Sequence, residues 1–164
     1  MGNITQRQVP IELINNILSN VSYKLVLIGP IEDSFRRKLV SMKNVCIKGV
    51  LKGSDLTDSL SEIDIGLALY NKQKINDGTS PNKLWQYLAT GKPVIVSELK
   101  NLLNMNFPPK SVYIYHESNS LMDLIQKVYH EDSELGMQER IKFATNNTWG
   151  KRMELFLNVL NKSI

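Results

Sequence analysis

The chain has 164 residues, 42% of them hydrophobic and 22% charged, which suits one ordinary globular domain. With 20 Lys and Arg against 16 Asp and Glu the net charge is +4, too mild for a dedicated nucleic-acid binder. Wholly apolar runs such as Leu25–Ile28 fall far short of the ~18 residues of a membrane span, and the lone Cys46 with two histidines excludes an intrachain disulfide or a Cys/His zinc cluster.

Pro10 in a first turn, with Ile11, Ile14, Ile17 and Leu18 at helical spacing, predicts a helix over 10–20. Residues 24–28 read as a buried strand stopped by Gly29-Pro30, 33–41 as a short helix, and 44–48 as a second strand ending at Gly49. Residues 55–62 are again helical, with Leu56 and Leu60 on one face, and 63–69 form a third strand before a polar loop over 71–79. A helix over 81–90 is ended by Gly91, with Pro93 close behind. Strands at 94–96 and 112–115 follow, then helices at 119–130, 134–145 and 149–161.

Short apolar strands alternating with helices predict parallel βαβ units whose helices cover both faces of the sheet. The expected fold is α/β: a three-layer α/β/α, Rossmann-like parallel sheet in a single domain over 1–164. Such domains usually open with a strand, whereas the first strong element here is a helix. Residues 1–5 are therefore expected to be the tail of a first strand.

Ligands of open parallel sheets bind outside the carboxyl ends of the strands, which directs attention to the loop and helix start at 77–87. Ser80 is expected as N-cap and Pro81 at the first helical position, so that free backbone N–H groups and the positive end of the helix dipole face the crevice. That arrangement favours phosphate. Lys83 puts a cation in the first turn, where dipole logic favours an acid, and an anionic ligand would supply the missing charge. Gln86 lies one turn on, placed to reach a sugar hydroxyl, while Leu84 and Leu88 form the core-facing stripe. Ser-Pro starting a helix and Gly-Lys-Pro ending one are also ordinary punctuation, so spacing alone leaves phosphate binding and plain structure both open.

Residues 80–94, Ser-Pro-Asn-Lys-Leu-Trp-Gln-Tyr-Leu-Ala-Thr-Gly-Lys-Pro-Val, closely resemble a signature of the C-terminal, nucleotide-sugar-binding domain of GT-B glycosyltransferases, nearest to family 4-like (group 1) enzymes. Gly2-Asn3-Ile4 is similar to the glycine loop after that domain's first strand, 25–30 to its strand and glycine-proline element, and 45–50 to the strand and turn before the nucleobase. Residues 61–67 resemble the acidic residue and strand ahead of the donor loop, and Asn147-Thr148-Trp149 the opening of the last helix. The resemblance implies a donor-binding domain that lacks its first strand and the N-terminal acceptor domain, and that is inactive alone. It implies a donor diphosphate, from a UDP- or GDP-linked hexose, held by Gly2, Asn3, Ser80, Pro81, Asn82 and Lys83. Gln86 would contact the ribose, and Gly49, Val50 and Leu51 would line the base. No catalytic residue, protein-bound metal or cofactor is expected in this half. The expected partners are the nucleotide-sugar and the acceptor domain, in a bacterial cytoplasm with peripheral membrane association where polysaccharide or lipid-linked acceptors lie.

Two positions depart from the family: Gln86 stands where glutamate is usual, and Gly78 where a second acid is usual. A neutral hydrogen bond contributes ~0.5–1.5 kcal/mol against ~1.5–3 for a charged one, so the exchange at 86 should cost about tenfold in affinity unless Asp77 compensates. The departures keep open a non-catalytic binding or regulatory domain of the same ancestry. A sugar-nucleotide 2-epimerase half would need acid and histidine residues near the cleft, and a phosphate-receiver domain an acidic cluster where 24–28 ends in Gly-Pro.

Elsewhere, His116 and His130 show no companion acid at recognisable spacing. Asp55/Asp58 and Glu62/Asp64 read as helix cap, solvated face and strand start. Arg36-Arg37-Lys38, with Lys72 and Lys74, reads first as a solvated face and second as an attraction for anionic headgroups. Trp85 and Trp149 are expected to be packing residues, and Cys46 an inert core thiol.

Overall fold

The computed structural model describes residues 2, 4, 5, 9, 11–70 and 81–162. Expectations placed on Asn3, Pro10, Lys72, Lys74, Asp77, Gly78 and Ser80 lie outside those residues. The described elements run α1 (Ile11–Leu18), β1 (Leu25–Ile28), α2 (Asp33–Val40), β2 (Val45–Gly49), α3 (Gly53–Ser61), β3 (Gly66–Ala68), α4 (Asn82–Ala89), β4 (Val94–Ser97), α5 (Lys100–Leu103), β5 (Val112–Tyr115), α6 (Leu121–Glu131), α7 (Glu134–Asn146) and α8 (Trp149–Lys162). The fold is the expected α/β layering. Serine hydroxyls cap two of the helices: Ser120 accepts from the Asp123 N–H at 3.2 Å and Ser133 from the Gly136 N–H at 3.2 Å. Gly91, at φ +76°, ends α4 as its place in the sequence requires.

All strand pairs are parallel, but the sheet is not continuous. β1 pairs with β2, and β3-β4-β5 form a separate ladder. The two parts nonetheless lie in one layer. Leu67 of β3 packs into the cluster that holds Leu25 and Leu27, while Ile28 shares the opposite cluster with Ala68. β3 is shorter than the 63–69 expected: Ile63 and Ile65 pack against clusters on opposite faces, which a strand's two-residue alternation does not give, and neither belongs to the ladder. The sequence reading missed α5, a single turn whose Leu102 is buried.

One face of the β3-β4-β5 ladder carries Ala68, Val94 and Val96 against Leu84 and Leu88 of α4 and Ala144 of α7. The other carries Ile95 and Tyr115 against Leu121, Ile125 and Val128 of α6, with Ile17 of α1. Gly66 leaves room for the buried Tyr87 ring, since a Cβ there would stand 2.4 Å from the ring carbon Cγ. Trp85, Phe107 and Phe143 form an aromatic trio, with Trp85 and Phe143 stacked at 5.9 Å. Trp85 is thus a packing residue as expected, whereas Trp149 is 76% exposed. Cys46 is half-buried rather than in the core.

Arg140 of α7 is fully buried. Its Nε donates to the Gly91 carbonyl at 2.7 Å, its Nη1 to the Lys110 carbonyl at 3.1 Å, and its Nη2 to Asp132 Oδ1 at 2.5 Å. One guanidinium therefore fastens the C-terminus of α4 to the turn before β5 and to the α6–α7 junction. Its planar array of donors suits three acceptors in fixed directions.

Candidate functional site

Because the strands are parallel, Ile28, Gly49, Ala68, Ser97 and Tyr115 end at one edge of the layer. The residues that follow them form the rim where a ligand of such a sheet binds. Backbone contacts tie part of this rim together. The Gly2 N–H donates to the Ile28 carbonyl at 2.9 Å, and the Gly29 N–H to the Gly49 carbonyl at 2.6 Å. Gly29 has φ +127°, and a Cβ there would stand 2.1 Å from the Gly2 carbonyl oxygen, so only glycine fits beneath this strap. Gly49 also has positive φ, at +69°. Val50 is exposed, while Leu51 packs into the cluster that holds Leu84 and Leu88.

The first turn of α4 stands beside this rim. Pro81 is the N-cap, not the first helical residue, and its carbonyl accepts the Leu84 N–H at 2.9 Å. Among the described residues no side chain caps the helix and no acid lies in its first turn, so none of them compensates the positive end of the dipole. Lys83 adds to that charge. It is half-buried, with Nζ 4.4 Å from the centroid of the Tyr70 ring, and no carboxylate among the described residues pairs with it. Burial lowers its pKa to about 8. A cation over an aromatic face gains ~0.5–2 kcal/mol, less than a charge-assisted bond to an anion would add.

Tyr70 was not singled out by sequence. Its phenol is pushed up to about 12 by burial and stays neutral. Its backbone is fixed from β4: its N–H donates to Ser97 Oγ at 2.9 Å, and that hydroxyl donates back to the Tyr70 carbonyl at 3.1 Å. An aromatic residue at the end of a strand that leads toward a helix-borne lysine is the signal that could have found it. Gln86 is exposed one turn beyond Lys83 on α4.

Unlike its sequence reading, His116 has an acid. Its Nδ1 lies 3.1 Å from Glu98 Oε2, both about half-exposed at the ends of β5 and β4. Eighteen residues separate them, so no local spacing announces the pair. Glu62 is engaged by Lys48 at 2.7 Å, and that hydrogen bond holds its carboxyl below the usual range. Among the described residues no group of three His, Cys, Asp or Glu could hold a metal ion, and no helix is long and apolar enough to cross a membrane.

The lysine carries two opposite pH dependences. Its folded pKa lies below the unfolded value, so the unfolded chain binds more protons between about 8 and 10.5, and its contribution to stability rises with pH across that window. Attraction for an anion runs the other way. Affinity for inorganic pyrophosphate is expected to fall as pH passes 8 in titrations from pH 6.5 to 9.5, and a flat profile would remove Lys83 from the anion site.

Residues 7–158 match the family described as Glycosyl transferase-like. The chain is 29% identical over 117 residues to the "Putative teichuronic acid biosynthesis glycosyltransferase TuaH" of Bacillus subtilis (strain 168), a stretch of 69% of this chain and 29% of that protein. Among solved structures it superposes on AviGT4, a glycosyltransferase involved in avilamycin A biosynthesis, with TM-score 0.72 and 17% identity, covering 96% of this chain and 48% of that one. The pneumococcal O-GlcNAc transferase GtfA in complex with UDP and GlcNAc gives 0.60 at 13% identity, with 98% of this chain and 35% of that one covered. The structural likenesses show the fold. The chain spans less than half the length of each of these proteins.

Proposed function

The chain belongs to the glycosyl transferase-like family, and from that premise we propose that it is the donor-binding half of an enzyme that moves a hexose-type sugar from a nucleoside diphosphate onto a cell-surface glycan or lipid-linked acceptor. The observation that carries this reading is the first turn of α4, where no described side chain caps the helix and the lysine has an aromatic ring but no described carboxylate beside it. A diphosphate supplies the charge this turn lacks.

In this reading the backbone N–H groups of Asn82 and Lys83 and the Lys83 ammonium take the diphosphate, with Ser80 and Pro81 ahead of them and Gly2 and Asn3 closing from β1. Gln86 reaches the ribose, and Gly49, Val50 and Leu51 line the base. As the sugar–phosphate bond breaks, charge grows on the departing diphosphate, and the helix dipole with Lys83 stabilises it where it develops. The site then needs no metal ion. Acceptor binding falls to a partner domain, in keeping with relatives of which the matched stretch covers 29% and 48%. That the Bacillus relative is named for teichuronic acid biosynthesis supports a bacterial cell-wall polysaccharide as product; in this reading it is made at the inner face of the membrane. Glu98 and His116 give the epimerase alternative its acid–histidine pair, but the family match favours transfer.

The test is a calorimetric titration of the chain with UDP, GDP, ADP and CMP, with uridine as control. One diphosphate is expected to bind saturably. Lys83→Ala should weaken it about 10- to 100-fold, the value of a charge-assisted bond of ~1.5–3 kcal/mol, and leave uridine unchanged. Equal loss for diphosphate and nucleoside would overturn the role of Lys83. A folded chain that binds none of them at millimolar concentration would overturn donor binding by this half.

A further inference from the structure

Backbone bonds from β3 to β4 step by two residues. Gly66 stands opposite Val94 and donates to the Pro93 carbonyl at 2.9 Å, and Ala68 stands opposite Val96. One step further, the ladder would set Tyr70 opposite Glu98, with its N–H on the Ser97 carbonyl and its own carbonyl on the Leu99 N–H. The strand pairing ends before that step. The Ser97 hydroxyl takes both places: it accepts the Tyr70 N–H at 2.9 Å and donates to the Tyr70 carbonyl at 3.1 Å. One side chain thus supplies the acceptor and the donor of the absent rung. Beyond it the β4 chain leaves the sheet, with Glu98 turned to His116 and the buried Leu99 at the start of α5.

A hydroxyl bonded twice to one residue's backbone fixes where that residue sits. Tyr70 carries the ring that lies 4.4 Å from Lys83 Nζ, beside the first turn of α4. Tyr70 also packs against the cluster that holds Leu84 and Leu88, so it is held through its backbone by β4 and through its side chain by α4. Lys83 is half-buried next to it. A lysine free to swing on its four-carbon stem loses rotamer freedom when it meets an anion, and one already confined loses less. We propose that Ser97 is a positioning residue of the anion site: by latching the Tyr70 backbone to the end of β4, its hydroxyl holds the aromatic wall that confines the Lys83 ammonium where a diphosphate meets it. This role deepens the donor-binding reading of α4 and rests on it. Ser97 acts through Tyr70 and Lys83, since both hydrogen-bonding directions of its hydroxyl are engaged by the Tyr70 backbone.

Ser97→Ala, Ser97→Thr and Tyr70→Leu forms of the full chain test this, with inorganic pyrophosphate as the probe. Alanine removes the latch, threonine keeps a hydroxyl, and leucine removes the ring with the latch in place. Calorimetry across a range of pH gives the affinity. The NMR signal of Lys83 after carbon-13 methylation of the lysines, assigned by its absence from Lys83→Arg, follows the amine with no ligand present. At neutral pH, Ser97→Ala and Tyr70→Leu should each weaken pyrophosphate about 3- to 10-fold, the value of holding one flexible side chain in place. In both, the Lys83 midpoint should rise from about 8 because the amine gains water, so affinity persists to higher pH than in the parent chain. Ser97→Thr should keep the parent values. Ser97→Cys, which fills the same space with a weak donor, should fall between and stands in for alanine if that form does not fold. A folded Ser97→Ala chain whose Lys83 signal titrates as in the parent overturns the latch, because a merely structural serine lowers stability and leaves the lysine alone. A moved midpoint with unchanged pyrophosphate affinity at neutral pH overturns the role in anion binding. If the parent chain binds neither pyrophosphate nor nucleotide while the Lys83 signal moves as expected, the donor-binding reading falls and the coupling of Ser97 to Lys83 stands.

Discussion

Replacing Arg140 by methionine is expected to lower the free energy of unfolding by about 3–5 kcal/mol, the range found when one partner of a buried ionic network is removed. Methionine preserves most of the apolar stem, so the loss isolates the guanidinium. Three acceptors on three separate segments lose their donor at once: the carbonyls of Gly91 and Lys110 and the carboxylate of Asp132. Asp132 is partly exposed and can rehydrate, whereas the Gly91 carbonyl belongs to a buried residue and cannot do so cheaply. Lysine should recover only part of the loss, since one ammonium cannot meet three directions. Urea unfolding with an unchanged slope would measure it, and a loss below about 1 kcal/mol would mean that water replaces the guanidinium. Nucleotide affinity of the folded fraction should be unaffected, because the fastening is at the opposite end of α4 from Lys83.

Leu88→Ala should cost about 2–5 kcal/mol, and Gln86→Ala on the same helix less than about 0.5. Leu88 is 0% exposed and packs among Leu84, Val94, Val96 and Ala144, so truncation leaves a cavity walled by two helices and the sheet. Gln86 is exposed, so its removal leaves none. The contrast fixes the rotation of α4: similar costs at both positions would turn the helix away from the orientation that points Gln86 outward. The two variants also separate stability from binding, since only Gln86→Ala should weaken nucleotide binding in the folded protein.

The alternation of strands and helices, the end of α4 at Gly91 and the buried stripe of Leu84 and Leu88 were legible because each is written in local spacing. The break in the sheet was not. Apolar runs report which residues are buried, as Ile63 and Ile65 partly are, yet a ladder needs a neighbour that periodicity cannot supply. The start of α4 was legible to within one residue, Pro81 serving as cap instead of first helical residue. Glu98–His116 and Lys83–Tyr70 join different segments of the chain and leave no local mark. Arg140 lies midway between: Gly136 and Ala144 mark its stripe as close-packed, and a charged residue between two small ones is the anomaly that could have drawn attention to it.

Each of the two ladders is drawn from one unbroken stretch of polypeptide, β1 and β2 from residues 25–49 and β3 to β5 from residues 66–115. Neither must wait for the other to arrive, because every strand pairs with its immediate neighbour in sequence. Such pairing between sequence neighbours makes each ladder a cooperative unit with its own opening equilibrium. The expected order of assembly is one βαβ unit (β1-β2) and one βαβαβ unit (β3-β4-β5) that form independently and then merge, with the packing of α1 on α6 and the burial of Leu67 against Leu25 closing last.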